Sequence, residues 1–163
     1  MTIPAFDWRR AALADVPALA TLYRAAALAL GPQVYTPEQV AAWASFAVDA
    51  AGFERYVLGP ETWLAECEGR VVGFCGIERD ERAERVGEVR SLYILPGHMR
   101  QGMGTELLAR SLARAEADGV ARFAAWVTPF SRPVFEAAGF VLVRTVAEPF
   151  EGTQFERYRV ERG

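Results

Sequence analysis

Lysine and asparagine are wholly absent from the 163 residues, so all 18 basic side chains are arginine. A phosphate loop of the type GxxxxGK followed by Ser or Thr is thereby excluded, because its lysine has no counterpart. Histidine occurs once, at His98, and cysteine twice, at Cys67 and Cys75. These cannot supply ligands at zinc spacing, and no metal is expected. The cysteines lie in the apolar runs "TWLAEC" and "VVGFCGI". Pairing those runs around Glu68-Gly69 sets Cys67 opposite Arg70 and Cys75 opposite Thr62, which predicts two buried, reduced thiols rather than a disulfide. Apolar runs fall short of the ~20 residues that span a bilayer. The opening "MTIPAFDWRRAALADV" lacks the basic-then-apolar order of a secretion signal, so a cytoplasmic protein without a membrane partner is expected. A net charge of −3 and a pI near 5.3 leave no basic footprint for nucleic acid and favour cationic or neutral partners.

What is present describes a single globular domain over residues 1–163: 52% hydrophobic, 12% aromatic and 24% charged, without repeats or low-complexity tracts. "AFDWRRA" reads as a first strand. Asp15 then caps a helix through "VPALATLYRAAALAL", and "YTPEQVAAWASFAVDAAG" restarts one with Thr36 as N-cap, Pro37 at the first helical position and Gln39 completing a capping box. Three β-rich segments follow, "ETWLAEC", "GRVVGFCGIER" and "RVGEVRSLYILP", the last two joined by a charged turn over residues 79–85. The next helix is amphipathic, with Leu107, Leu108, Leu112 and Ala115 on one stripe, and ends at Asp118-Gly119. "ARFAAWVT" is a buried strand, Ser131 and Pro133 start a short helix closed by Gly139, and "FVLVRTVA" and "TQFERYRV" form two closing strands joined by "EPFEG". The order β-αα-β-β-β-α-β-α-β-β predicts an α/β fold with a mixed, mostly antiparallel sheet of about seven strands and helices on both faces.

The most informative stretch is "SLYILPGHMRQGMGTELL", an apolar strand entering a loop with Gly102 and Gly104 two residues apart and then a helix. A helix N-terminus offers unpaired N–H groups and the positive end of its dipole, and glycine keeps side chains out of an anion's way. Thr105 adds a hydroxyl and Arg100 a cation. An isolated GxG is often only a turn, however, and a dinucleotide fingerprint fails here because its third glycine position is Leu107 and the following strand ends at Thr128.

The whole arrangement resembles the GCN5-related N-acetyltransferase (GNAT) family, whose central motif is a strand ending in proline, a glycine loop and a helix. "SRPVFEAAGF" resembles that family's second motif, and the element order matches its fold. The resemblance implies that acetyl-CoA is the co-substrate. Its pyrophosphate would lie on backbone amides of Arg100, Gln101, Gly102, Met103, Gly104 and Thr105, and its pantetheine arm along Leu92, Tyr93 and Ile94. The loop departs from the family pattern at Met99, where Gln or Arg is usual, and Phe135 stands where many members carry a tyrosine acid, which leaves Phe135 a packing role against the cofactor. An amide of Tyr93 or Ile94 would serve the oxyanion.

The resemblance places Glu88 where some members hold a general base; a solvated strand residue is the equal alternative. Tyr35 either shapes the acceptor pocket and donates a proton, or staples onto Val40 or Ala41. His98 is expected to be solvent-exposed, Trp43, Phe46 and Trp63 to be packing residues, and Trp126 to be core or channel. The implied reaction moves an acetyl group to a primary amine of a small molecule, peptide or protein by direct attack. A CoA-binding regulatory module without chemistry is the alternative, and other acyl groups or a homodimer stay compatible with the motifs.

Overall fold

The computed structural model describes residues 3–80, 82–83 and 85–163; Met1, Thr2 and two residues of the expected charged turn, Glu81 and Glu84, lie outside them. Strand β1 (Asp7–Arg10) leads into three helices, α1 (Val16–Leu30), α2 (Pro37–Ser45) and α3 (Ala50–Leu58), and these into the meander β2 (Glu61–Cys67), β3 (Arg70–Arg79) and β4 (Val86–Ile94). Helix α4 (Met103–Ala117), β5 (Arg122–Val127), α5 (Arg132–Ala137) and the hairpin of β6 (Val141–Phe150) and β7 (Thr153–Arg162) complete the chain. The sheet runs β1-β2-β3-β4-β5-β7-β6. Every strand pair is antiparallel except β4 with β5.

Helices α1 to α3 cover one sheet face over Leu64, Phe74 and Tyr93, while α4 and α5 cover the other over Ala65, Cys75, Ile77 and Val89. Met103, Leu107, Leu108 and Leu112 of α4 are each no more than 2% exposed, and each such burial contributes about 1.5–3 kcal/mol relative to an exposed side chain. At the N-terminus of α2 the Gln39 N–H donates to Thr36 Oγ1 at 3.2 Å and the Thr36 N–H to Gln39 Oε1 at 2.9 Å, the expected capping box. Asp15 precedes α1 without capping it: its carboxylate takes the Ala12 N–H and the Arg9 guanidinium instead.

Further features differ from the sequence reading. Helix α3 is additional: "DAAG" reads as a helix end, yet the Asp49 carboxylate accepts the Gly52 N–H at 3.2 Å and starts a new helix. A Cβ on Gly52 would come within 2.3 Å of Asp49 Oδ2, so the glycine permits the cap rather than terminating a helix. Second, a β-bulge at Val72 shifts the β2–β3 register by one, so Cys75 faces Trp63 rather than Thr62; Cys75 is buried, and burial pushes its thiol up to about 12, while Cys67 is half-buried. Third, residues 13–33 around α1 reach a mean hydropathy of 1.3 over a membrane-spanning length; the inner stripe of this helix, Leu19, Leu22, Tyr23, Ala26 and Ala27, is buried. The "EPF" expected in the last connection continues β6, and the turn is Glu151-Gly152 alone, with φ of 48° and 79°. Pro149 is tolerated because β6 is an edge strand.

Candidate active site

The site begins with a defect in strand pairing. Along β4, Val89 pairs Ile77 and Ser91 pairs Gly76, so Arg90 is an extra, bulged residue. A bulge bends its strand, and here β4 pairs β5 only from Val86 to Val89. Beyond that point the two strands part. Leu95 donates its N–H to Val72 on β3. By strand alternation the Tyr93 N–H also faces β3, and those of Leu92 and Ile94 face the opening. The sequence reading offered the amide of Tyr93 or Ile94 to an oxyanion; this alternation retains Ile94 and adds Leu92.

The opening is a cleft of about 350 Å³ with Leu92, Tyr93 and Ile94 on one wall, and Trp126, Thr128 and Phe135 among the residues opposite. Its end is the loop before α4 together with the first turn of that helix, from which Arg100 and Gly102, then Gly104 and Thr105, line the cleft. Arg100 and Gly102 both have positive φ, 62° and 81°, and alternation of this kind turns successive N–H groups toward one point, an anion-binding nest. Helix α4 starts there, and the N–H groups of Gly102, Met103, Gly104 and Thr105 have no acceptor among the described residues. A Cβ on Gly104 would meet only Ile94, at 3.6 Å. Arg100 is exposed and makes no ion pair with any described residue. Unpaired amides, a helix dipole and a cation therefore converge where a pyrophosphate would sit. Gln101 does not line the cleft, and the Met103 side chain is buried in the core, so each can offer only its backbone.

Phe135 lines the same cleft, 3% exposed, with its ring edge-on to Phe140 at 5.0 Å. Ahead of α5 the Thr128 N–H donates to Ser131 Oγ and the Ser131 N–H to Thr128 Oγ1, both at 3.1 Å. This closed pair of bonds holds the α5 entrance against the cleft.

A second cleft of about 270 Å³ adjoins the first, sharing Trp43, Arg90, Tyr93, Trp126 and Thr128. Tyr35 lines it, edge-on to Trp43, Phe130 and Phe155, and burial pushes its phenol up to about 12. It is protonated at neutral pH and can donate but not accept a proton. Tyr23, Tyr56 and Tyr93 meet in the same wall, and burial raises all three phenols. Trp43 Nε1 donates to the Tyr93 hydroxyl at 3.4 Å and the Tyr56 hydroxyl donates to the Arg90 carbonyl at 3.1 Å. Tyr23 and Tyr56 were not anticipated; Tyr56 lies on the unforeseen α3. Trp43 and Phe46, expected as core, line this cleft as well.

Glu88, the candidate base, is absent from the lining of both clefts. Its Oε1 accepts from Arg159 Nη1 at 2.6 Å, with both side chains less than one-fifth exposed. That hydrogen bond turns the carboxylate toward β7 rather than toward either cleft. His98 is half-buried, not exposed, and lies outside both clefts.

Residues 32–162 match the acetyltransferase (GNAT) domain model. An uncharacterized N-acetyltransferase of Mycobacterium bovis is 31% identical over 93 residues, covering 56% of this chain and 58% of the relative, so the chain spans little more than half the length of that relative. Among solved structures, a GCN5-related N-acetyltransferase from Rhodopseudomonas palustris superposes with a TM-score of 0.88 at 23% identity, covering 99% of this chain and 98% of the other. The PaiA N-acetyltransferase of Thermoplasma acidophilum, in complex with coenzyme A, gives 0.79 at 14% identity over 98% of this chain and 99% of that one. The fold is that of the N-acetyltransferases, and the chain belongs to the GNAT acetyltransferase family. The alternative of a CoA-binding module without chemistry finds no support in these relatives, which are named for acetyl transfer.

Proposed function

We propose that the protein transfers an acetyl group from acetyl-CoA to a primary amine of a small molecule, peptide or protein, by direct attack without an acyl-enzyme. The observation that carries this reading is the parting of β4 from β5 at the Arg90 bulge, with the unpaired amides of residues 102–105 at one end of the opening. The co-substrate supplies the activated acetyl thioester. The nest and Arg100 would hold its diphosphate, and the edge of β4 its amide-bearing arm. The N–H groups of Leu92 and Ile94 face the opening, where they would stabilise the oxyanion that develops on attack.

An alkylammonium must lose its proton before attacking. Transfer into a cleft walled by aromatic rings destabilises the charged form and lowers its pKa, so part of the deprotonation follows from burial itself. No step is routed through Glu88. Tyr93 lines both clefts and its protonated phenol would offer a hydrogen bond to a departing thiolate, whereas Tyr35 lines only the second cleft. An ordinary thiol of pKa about 8.5 also leaves without strong acid help, which makes Phe135 compatible with turnover.

Calorimetry with acetyl-CoA, followed by thiol release in the presence of an amine panel, tests the reading. Saturable binding with amine-dependent thiol release is expected; no binding at millimolar acetyl-CoA would remove it.

A further inference from the structure

From the second cleft we infer the class of acceptor: a small primary amine on a flat, apolar body, an arylalkylamine, in preference to a polyamine or a peptide N-terminus. The inference rests on the acetyl-transfer reading above.

Size comes first. At about 270 Å³ the cleft falls just below the roughly 300–1,000 Å³ of drug-sized ligand sites, which suits a fragment with one ring and a short tail. Wall chemistry comes second. Tyr35, Trp43, Phe46, Tyr93, Phe150 and Phe155 all line the cleft, and their rings meet at steep angles: 84° between Tyr35 and Phe155, 59° between Phe46 and Phe150, 60° between Phe150 and Phe155. Rings set this way present both edges and faces to the space between them, the complement of another aromatic ring.

Charge is the third argument. Four ionised side chains reach the wall, Arg90, Arg157, Glu148 and Glu156, and their charges cancel. Arg157 Nη1 is held by Glu148 Oε2 at 2.7 Å, and Arg90 Nε by Glu78 Oε2 at 2.9 Å. A polyamine needs carboxylates spaced along its length, and an amino acid needs an uncommitted cation for its carboxylate; this wall offers neither. Glu156, exposed at the rim, can draw an incoming ammonium without entering the apolar interior.

The wall is also braced. Phe150 and Phe155 flank the Glu151-Gly152 turn, and Gln39 Nε2 of the α2 capping box donates to the Gln154 carbonyl at 2.7 Å, tying the hairpin tip to α2. The cleft joins the first one at Trp43, Tyr93 and Trp126, so an amine tail extending from a seated ring points toward the acetyl-transfer cleft.

The test compares phenethylamine with spermidine and an alanine-initiated tripeptide, using thiol release with acetyl-CoA and, separately, tryptophan fluorescence without it, since Trp43 and Trp126 line the cleft. Phenethylamine is expected to be turned over with a kcat/KM at least about tenfold above the other two and to quench fluorescence saturably. Phe155→Ala, at a half-buried position, should raise its KM by roughly tenfold or more while acetyl-CoA binding is unchanged. Better turnover of spermidine or the tripeptide overturns the acceptor class and leaves acetyl transfer standing. Acetyl-CoA binding with neither quenching nor turnover of phenethylamine overturns it too. Saturable quenching by phenethylamine in a protein that does not bind acetyl-CoA supports the aromatic-amine site while removing the transferase reading.

Discussion

Arg159 on β7 reaches over β5 to hold Glu88 on β4, Nη1 to Oε1 at 2.6 Å. The span is open because Ala124, opposite Glu88 on β5, has only a methyl group to interpose. The pair sits at the foot of the fork, where β4 still pairs β5, and braces the strands just before they part. A bracing pair and a catalytic base respond differently to mutation. Arg159→Met, which leaves the Glu88 carboxylate without its hydrogen bond, and Glu88→Gln, which keeps an acceptor oxygen but removes the counter-charge of a poorly solvated guanidinium, should each lower stability by about 1–3 kcal/mol, and the double variant should lose less than the sum. Turnover should follow folding in both singles. A loss of 10²-fold or more in kcat confined to Glu88→Gln, of the size removal of a general base gives, would instead assign Glu88 the role of base.

The two loop glycines should separate in their effects. Gly102 has φ of 81°, and a Cβ there would also press on Ile3 at 3.1 Å, so Gly102→Ala should cost about 1–2 kcal/mol of stability. Gly104 lies inside α4 in ordinary helical backbone with only Ile94 nearby, so Gly104→Ala should leave stability unchanged or raise it by about 0.5–1 kcal/mol. The added methyl nevertheless stands among the unpaired amides and should weaken CoA binding by about tenfold or more, or about 1.4 kcal/mol. Thermal unfolding and CoA calorimetry on the two variants give the comparison; unchanged CoA affinity in Gly104→Ala would move the phosphates elsewhere.

What the sequence disclosed was what neighbouring residues decide among themselves. The Thr36 capping box, the apolar stripe of α4 and the strand-loop-helix around Gly102 are local, and each stands as read. The bulge at Arg90 was silent, because two residues opposite one is a property of the β3–β4 register and no residue type in "GEVRSLY" demands it. Of the second cleft only Tyr35 was foreseen, through the family resemblance, because Tyr35, Tyr56 and Phe155 lie far apart in the chain and meet only when three helices and a hairpin close on the same end of the sheet. Glu88 shows the opposite case. Its place in the motif suggested a base, but its partner Arg159 lies 71 residues away.

Helix α3 depends on a cap that its glycine makes possible. Asp49→Ala should destabilise the fold by about 1 kcal/mol, within the range for a lost N-cap. Gly52→Ala should do as much despite the better helix propensity of alanine, because the new Cβ overlaps the capping carboxylate. Combining the two should relieve that clash, so the double variant is expected to be no worse than Asp49→Ala. Since α3 carries Tyr56 to the second cleft, its fraying should also reduce fluorescence quenching by phenethylamine. Additive losses in the double variant would show that the glycine matters for another reason.

The tyrosines of the second cleft set an alkaline limit on stability. Burial raises the phenols of Tyr23, Tyr56 and Tyr93, and takes that of Tyr35 up to about 12. In the unfolded chain each titrates near pH 10. Between the two values the native state keeps a proton that the unfolded chain has released, so stability is fully present below about pH 10 and falls as pH rises beyond it, by about 1.4 kcal/mol per pH unit for each tyrosine still protonated. Denaturant unfolding at rising pH, read beside tyrosinate absorbance, should show stability falling before the buried phenols ionise. Tyr35→Phe should make that fall shallower up to about pH 12, in keeping with the raised Tyr35 phenol. Parallel curves for the variant and the parent would mean that Tyr35 ionises as freely folded as unfolded, and that the wall it stands in is open to water.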